Sequence, residues 1–223
     1  YLLIIKKKIT CTKRDLYMQA IPGVLMLALG NGIIGWAEKY IPSGLAALIV
    51  SIMPVYMVLI NLALDKGKSH INWKIVLGLS LGCVGIILIF KDNISDLAET
   101  KYLMGVIITF AASLSWAIGT IFMKRHKTNT DSMVNIAIQL CSGGLALLLA
   151  SPFLDNLNEV KSITAESIWS LVYLIVFGSL LCYLCYSYAV KNLPVGLVSV
   201  YAYINPFIAV ALGYIWYKER ITR

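Results

Sequence analysis

The sequence predicts an all-α integral membrane protein, and three observations lead to that fold class. Hydrophobic residues make up 59% of the 223 residues and charged residues only 13%, against about 25% charged in a soluble domain. The apolar residues fall into runs of about 20, the length that a helix needs to cross the hydrocarbon core of a bilayer. The chain also contains an internal repeat whose two copies enter the membrane from opposite faces.

The apolar runs predict seven complete membrane spans. They cover residues 17–37, 43–64, 72–90, 102–123, 132–153, 168–190 and 193–217. Short polar loops join these runs, so neighbouring helices should be antiparallel. Residues 1–5 resemble the last turn of an eighth span, and the chain stops soon after the seventh complete one. We therefore expect this chain to be part of a longer protein.

The loops predict the orientation of the spans. One side holds 12 of the 19 basic residues with three of the 11 acidic residues. An excess of Lys and Arg marks cytoplasmic loops, so this side, which includes Lys13, Lys124 and Lys191, should be cytoplasmic. The net charge of +8 is then explained by membrane orientation, and no nucleic-acid partner is expected.

The internal repeat relates residues 39–66 to residues 191–218 at an offset of 152 without a gap. The matched identities include Pro42 with Pro194 and Pro54 with Pro206. Five spans lie between the copies, and because five is odd, the copies have opposite topology. Inverted repeats are typical of secondary transporters, with the substrate site near the midplane where the copies meet. Two complete five-helix units would make ten helices, of which about seven are complete here. The repeats should occupy residues 1–90 and 102–223.

Pro54 and Pro206 lie near the middle of their spans. Proline has no amide proton and clashes with the carbonyl four residues back, so each should interrupt its helix. Paired interruptions in two halves indicate a binding site, although a packing kink remains the alternative.

The stretch Gly-Asn-Gly-Ile-Ile-Gly at residues 30–35 fits the spacing of a dinucleotide-binding turn. That motif needs a preceding strand and an acidic residue about 20 positions later. The stretch lies inside the uncharged run 17–37 with no strand-like segment before it. About 20 positions later, residues 52–57 contain no acidic residue. We interpret these glycines, and the pair Gly143 and Gly144, as positions where helices approach closely.

Cysteine and histidine indicate neither a disulfide framework nor a metal site. The five cysteines lie mostly within apolar runs and are interpreted as small buried hydrophobic residues. The two histidines lie in polar loops, so no metal and no other cofactor is expected.

Aromatic and amide side chains at helical spacing are the candidates for a substrate site. Tyr183 and Tyr186 are three residues apart, Tyr201 and Asn205 are four apart, and each pair shares a helix face. Trp116 forms a stripe with Ser113 and Thr120, and Asn31 lies on the glycine-rich helix. Tyrosine offers an apolar ring and a hydroxyl, which suits small, partly polar organic molecules. The alternative for any one of these residues is ordinary helix packing. The candidate substrate-binding residues are Asn31, Trp116, Tyr183, Tyr186, Tyr201 and Asn205.

Glu38 is the acidic residue nearest an apolar run on the predicted outer side. An acid at membrane depth is a candidate for coupling transport to protons. The alternative is a place among the lipid headgroups, since Lys39 follows it directly.

Three stretches carry a family resemblance: residues 30–60, 113–125 and 177–222. They contain the patterns Gly-Asn-Gly with Ala-Glu, and Tyr-Ala-Tyr-Ile-Asn-Pro, and they resemble the EamA family of the drug/metabolite transporter superfamily. The resemblance covers the chain from residue 17 onward. It implies ten helices in two inverted halves, a central cavity, and export by alternating access. Glu219 matches the acid with which the family usually closes helix nine, whereas Gly67, its counterpart, departs from that pattern.

The function expected from residues and resemblance together is export of a small organic metabolite, amino-acid-like or drug-like, across a bacterial inner (plasma) membrane. The expected partners are the substrate and the lipid bilayer, with a homodimer left open. A seven-helix receptor or another membrane binding protein is the alternative. A membrane enzyme is not expected, since no cluster of groups for acid–base, nucleophilic or metal chemistry is visible.

Overall fold

The computed structural model describes residues 11–65, 99–126, 128, 130–154 and 164–206, together with residues 73, 77, 78, 80, 81, 84, 85 and 208. Across these residues the chain is helical, with five helices long and apolar enough to span a membrane. They are α1 (Lys13–Ala37), α2 (Ser43–Leu64), α3 (Thr100–Arg125), α4 (Ser132–Leu154) and α5 (Ala165–Asn192). A short helix, α6 (Val195–Val198), follows, and helical residues continue over 201–206.

Five of the predicted spans are therefore confirmed, with ends that differ by a few residues. The structure extends the first of them at its start to Lys13, because Thr12 caps that helix. The Thr12 hydroxyl accepts the N–H of Asp15 at 3.2 Å, and the Asp15 carboxylate accepts the N–H of Thr12 at 3.1 Å. This reciprocal capping satisfies two helix-end amides, so the polar turn before the apolar run is also helical. The predicted span 72–90, the stub 1–5 and residues 209–217 of the predicted span 193–217 lie outside the continuously described residues.

The offset of 152 recurs in the helix starts. Thr12 caps α1 and Thr164 caps α5, where its hydroxyl accepts the N–H of Ser167 at 3.2 Å. Pro42 and Pro194 directly precede α2 and α6. Thr12 and Thr164 lie outside the stretch of the sequence match, so these two helix starts support the repeat independently of the residues that define it.

Helix α3 is the centre of the bundle. It packs against α1, α2 and the last part of α5, while α4 packs against α1, and α6 packs against α2 and α5. Where α1 and α4 cross, Gly143 is in close backbone contact, because a Cβ there would lie 2.8 Å from the Gly23 carbonyl oxygen. The expectation of close packing is thus confirmed for Gly143 and wrong for Gly144, where a Cβ would meet nothing within 4 Å.

The expectation of buried cysteines is wrong for the residues that the structure describes. Cys11, Cys141, Cys182 and Cys185 are all exposed and free. The physical reason is that apolar runs in a membrane protein face lipid as readily as protein, so an apolar neighbourhood in sequence does not imply burial. The first part of α5, from Ala165 to Leu181, shows this most clearly, since all of its residues are exposed.

Candidate functional site

Four of the predicted site residues meet in one aromatic cluster. Trp116 comes from α3, Tyr183 and Tyr186 from α5, and Tyr201 from the helical residues after α6. The ring of Tyr186 lies at the centre, with its centroid 5.6 Å from those of Trp116 and Tyr201 and 6.3 Å from that of Tyr183. Two of these contacts are edge-to-face, an arrangement that aromatic rings favour.

Hydrogen bonds fix the orientation of the Tyr186 hydroxyl. The Trp116 indole N–H donates to it at 3.0 Å, and it lies 2.5 Å from the Thr120 hydroxyl. Thr120 donates its own proton to the Trp116 carbonyl at 2.9 Å. Tyr186 must then donate to Thr120, so the hydroxyl both accepts and donates, as a buried polar group should.

A glycine of the Gly-Asn-Gly stretch makes room for this cluster. A Cβ at Gly30 would lie 3.0 Å from the Trp116 ring and 3.3 Å from its Cβ. Gly32 is similarly placed against the Leu147 side chain, whereas Gly35 faces open space. The interpretation of close helix approach is confirmed for Gly30 and Gly32 and wrong for Gly35.

The cluster links two parts of the hydrophobic core. Trp116 packs against a cluster formed by Met53, Met57, Ala117 and Ala202, and also against one formed by Met26, Ile136 and Tyr183. Tyr201 extends to α2, where its hydroxyl lies 3.5 Å from the Met53 sulfur. The aromatic cluster therefore stands between α2 of the first predicted repeat and α3, α5 and α6 of the second.

Two buried glutamines adjoin the cluster, and sequence reasoning missed both. Gln19 of α1 and Gln139 of α4 are 3% and 1% exposed. The Gln139 amide donates to the Gln19 carbonyl oxygen, and the Tyr183 hydroxyl donates to the Gln139 carbonyl oxygen at 2.8 Å. The two residues are 120 positions apart, so no spacing pattern connects them. The available signal was a glutamine within each of two largely apolar runs, since a polar side chain at membrane depth is a functional candidate.

A polar pocket of about 360 Å³ reaches these glutamines from the predicted cytoplasmic end. The ends of α3 and α5 and the starts of α1 and α4 surround it. At 1.5 Å per residue, Gln19 and Gln139 lie about 10 Å from the cytoplasmic ends of their helices. The lining residues are Gln19, Met123, Lys124, His126, Thr128, Thr130, Ser132, Asn135, Gln139, Ser187, Val190, Lys191 and Asn192.

A second, larger groove of about 720 Å³ lies between α1, α3 and α4 at the other end of the bundle. Its walls are mostly apolar, with Leu29, Ile108 and Leu147 among them, and Trp36 and Lys39 lie at its outer end. None of the six candidate substrate-binding residues lines it. It is open and apolar enough to be filled by lipid or by a helix, so we do not assign it to the site.

Asn31 and Asn205 do not join the aromatic cluster in this structure. Both are exposed, although each is on a helix that contributes to the bundle. Asn205 is four residues from Tyr201, yet Tyr201 points inward and Asn205 does not. These two positions stay predictions, whereas Trp116, Tyr183, Tyr186 and Tyr201 are brought together.

Glu38 directly follows α1 and is exposed. Partial desolvation raises the pKa of its carboxyl group above the usual range. Its backbone N–H completes the last turn of α1 by donating to the Ile34 carbonyl at 3.0 Å. Glu38 is eight residues beyond Gly30, which meets Trp116, or about 12 Å along the helix, and its role in coupling stays a prediction.

Each of the two prolines follows a turn in its span, at a different distance from that turn. Helix α2 turns at Ser51 and Ile52 and resumes at Met53, so Pro54 occupies the first turn of the second segment, where no amide proton is needed. In the second copy a turn at residues 199–200 precedes helical residues 201–206, so Pro206 lies six residues after this turn, whereas Pro54 lies two residues after its own. Both breaks have a serine that donates to the carbonyl three residues back, Ser51 at 2.6 Å and Ser199 at 2.8 Å.

The cytoplasmic end of α3 is tied to helices on both sides. Arg125 forms an ion pair with Asp65 and donates to the Asn61 side chain at 3.0 Å. Lys124 donates to the carbonyls of Val190 and Leu193 at 2.7 and 2.9 Å. Because these carbonyls lie at the C-terminal end of α5, the positive charge of Lys124 also complements the dipole of that helix. Over the part of the chain that the structure describes, there is no group of three His, Cys, Asp or Glu side chains that could hold a metal ion.

Comparison with known proteins places this fold. The model of the EamA-like transporter family matches residues 1–91 and again residues 103–223. A crystal structure of a protein superposes on 99% of this chain and 75% of its own with a TM-score of 0.66 at 15% identity, which supports the fold alone.

Among curated proteins, the uncharacterized inner membrane transporter YedA of Escherichia coli (strain K12) is 30% identical over 202 residues. The match covers 90% of this chain and 63% of that protein, so the chain spans less than two thirds of this relative's length. A second Escherichia coli (strain K12) protein, named "Probable amino-acid metabolite efflux pump", is 22% identical over 81% of this chain and 62% of its own length.

A bacterial relative is named as an inner membrane transporter, and this chain has five helices apolar and long enough to span a membrane. Together these findings confirm the predicted inner-membrane location. The family model covers both halves of the chain and agrees with the helical fold and its repeated helix starts. This chain therefore belongs to the EamA-like transporter family.

Proposed function

We propose that the protein is a secondary transporter that exports small organic metabolites across the inner membrane by alternating access. The observation that carries this proposal is the convergence of Trp116, Tyr183, Tyr186 and Tyr201 in the bundle interior. The EamA-like family and the names of relatives support transport as the general activity. The aromatic cluster supports a binding site for that activity.

The cluster has the chemistry of a small-molecule site. Its rings offer apolar and π surfaces, while the Trp116 N–H and the hydroxyls of Thr120, Tyr186 and Tyr201 offer a few directed polar groups. Binding sites for organic molecules combine these features. In this structure the polar groups bond to one another, so a substrate would have to replace some of those bonds.

The cluster also occupies a position suited to alternating access. It stands between elements of the two predicted repeats, and turns at Ser51–Ile52 and at residues 199–200 lie on helices that contact it. The cytoplasmic pocket ends at Gln139, which touches Tyr183. Relative movement of the two repeats would change access at this point, as inverted-repeat transporters do.

The substrate class that we infer is amino-acid-like or drug-like organic molecules. One relative's name refers to amino-acid metabolite efflux, and a mixed aromatic and hydroxyl site suits partly polar molecules of that size.

The test is solute counterflow with the full-length protein in liposomes. Vesicles preloaded with pooled amino acids and other small metabolites would be assayed for exchange by mass spectrometry. Exchange of one class, lowered at least about tenfold by Tyr186→Phe but not by Tyr188→Phe, is expected, since Tyr188 is 72% exposed on the same helix. Equal exchange by both variants would remove the cluster from the transport path.

A further inference from the structure

The polar pocket at the cytoplasmic end has features that the aromatic cluster lacks. Groups from α1, α3, α4 and α5 and from the loop before α4 form its walls. Its volume of about 360 Å³ lies within the range of small-molecule pockets, about 300–1,000 Å³. Most of its lining side chains are polar or charged, whereas the groove at the other end of the bundle is apolar.

The charge of the pocket is positive. Lys124, His126 and Lys191 line it, and none of the described residues that line it is acidic. Lys124 is engaged with backbone carbonyls of the α5 C-terminus. Lys191 extends to the start of α4, where its ammonium group donates to the Ser132 hydroxyl at 3.0 Å. The neighbouring Asp131 carboxylate accepts the N–H of Met133 and is not part of the lining. The positive lining of the pocket therefore favours a ligand that carries an anionic group.

Among the described residues that line the pocket, two carry a polar atom without a partner. The Thr130 hydroxyl oxygen and the Asn135 carbonyl oxygen are buried without a hydrogen bond. The Asn135 amide nitrogen donates to Thr128 at 2.9 Å, which fixes the amide and leaves its carbonyl oxygen as a pure acceptor. Buried acceptors without donors are rare and costly in proteins. A rotation of the Thr130 and Asn135 side chains toward a bound molecule with an N–H or O–H donor would satisfy both oxygens.

The floor of the pocket connects to the aromatic cluster. Gln139 lines the pocket, bonds to Gln19 across the bundle, and accepts the Tyr183 hydroxyl proton at 2.8 Å. Tyr183 is in turn stacked near Tyr186. A molecule in the pocket would lie one side chain away from the cluster.

We propose that this pocket is a separate loading site, which binds a small carboxylate that also carries an ammonium or hydroxyl group before the molecule reaches the aromatic cluster. The carboxylate lies toward Lys191 and Ser132, and the donor group lies toward Asn135 and Thr130. The proposal rests on the proposed export function for its place in transport, but binding at the pocket can be measured without transport.

The experiment is equilibrium dialysis of the full-length protein in nanodiscs against an equimolar mixture of the common amino acids. Two parallel mixtures contain the matching amines without the carboxylate and the matching carboxylates without the amino group. Mass spectrometry measures what the protein retains above empty nanodiscs. We expect retention of amino acids at least about tenfold tighter than that of either matched mixture, because each lacks one of the two recognition groups.

Two variants locate the binding. Asn135→Leu keeps the size of the side chain but removes the acceptor, and Thr130→Val removes a hydroxyl. Each should weaken retention by about tenfold, while Thr100→Val, a change at the exposed start of α3, should leave it unchanged. A monodisperse elution profile for all three establishes that they are folded.

The results separate this proposal from the proposed function. No retention, equal retention of the three mixtures, or retention unaffected by both Asn135→Leu and Thr130→Val would overturn the loading site. If counterflow then persists and responds to Tyr186→Phe, the transport proposal stands without it. If retention depends on Asn135 but no pool shows counterflow, the pocket stands and the transport proposal fails.

Discussion

Removal of one hydroxyl, by Tyr186→Phe, perturbs the centre of the aromatic cluster with the smallest change in shape. The Tyr186 oxygen accepts the Trp116 N–H at 3.0 Å and contacts the Thr120 hydroxyl at 2.5 Å. Without it, the Trp116 N–H has lost its acceptor inside the bundle, while Thr120 still donates to the Trp116 carbonyl. One buried donor is thus left unsatisfied.

The expected loss of folding stability follows from this one unsatisfied N–H donor. An unsatisfied buried polar group costs about 1–3 kcal/mol, whereas hydrogen bonds between membrane helices average about 0.6 and reach about 1.7 kcal/mol. We therefore expect Tyr186→Phe to lower the free energy of unfolding by about 1–2 kcal/mol. The matched control is Tyr188→Phe, since Tyr188 is exposed and its hydroxyl makes no hydrogen bond within the described residues. Its effect should stay within about 0.5 kcal/mol.

The assay is reversible unfolding in mixed detergent micelles, followed by tryptophan fluorescence, with both variants and the unchanged protein measured side by side. Equal stability of the two variants would refute the assigned hydrogen bonds. Loss of transport in Tyr186→Phe with unchanged stability would instead mean that the hydroxyl contacts substrate but does not support the fold.

Three further predictions concern positions outside the cluster. Gly143→Ala should destabilise the protein by about 1–3 kcal/mol, because the added Cβ would lie 2.6 Å from the Leu27 Cβ, whereas Gly144→Ala, with open space, should be nearly neutral in the same unfolding assay. A double-mutant cycle with Arg125→Gln and Asp65→Asn should give a coupling free energy below about 1 kcal/mol between the two side chains, because both are about a third exposed. A much larger coupling free energy would contradict this expectation. Because desolvation raises the pKa of Glu38, the folded protein disfavours its charged form, so this cost is present above the raised pKa and disappears as pH falls below it. Glu38→Gln should then stabilise the protein slightly at about pH 8 and have no effect near pH 4, and the opposite trend in a pH series of melting curves would show that the carboxylate is favourably paired.

The sequence predicted the helices because lipid simplifies the problem. A spanning helix must satisfy its own backbone and be apolar for about 20 residues, and both conditions are visible in one run at a time. The Thr12 cap was missed because its polar turn lies before the apolar run, where the hydrophobic pattern carries no information.

The apolar composition of a spanning helix predicts that it crosses the membrane, but it does not predict which of its residues are buried. Cys182 and Cys185 were expected inside and are exposed, since lipid-facing and protein-facing positions are equally apolar. Gly143 and Gly144 are identical neighbours in sequence, and only their rotation about the helix axis decides which one meets α1.

The candidate site was predicted where several aromatic residues share a face. Tyr183 and Tyr186 converge with Trp116 because α5 and α3 both present that face to the interior. Asn205 was expected beside Tyr201 from spacing alone, but four residues along a helix is 400°, or 40° beyond a full turn at 3.6 residues per turn, and Asn205 lies on the exposed side.

Gln19 and Gln139 mark the limit of reading one helix at a time. Each lies in a largely apolar run that also contains an asparagine, and its role follows only from the other glutamine and from Tyr183, which are on different helices. Such a network depends on which helices are neighbours, and that information is not contained in periodicity or composition.

The most direct test of the account is a counterflow measurement with the full-length protein in liposomes, using pooled metabolites and comparing Tyr186→Phe with Tyr188→Phe. We expect selective exchange of one class of small organic molecule, lowered about tenfold or more by Tyr186→Phe and unaffected by Tyr188→Phe. Failure of folded protein to exchange any pool would contradict the transport proposal and favour a receptor or other binding protein. Exchange that is indifferent to Tyr186 would contradict the assignment of the aromatic cluster as its site.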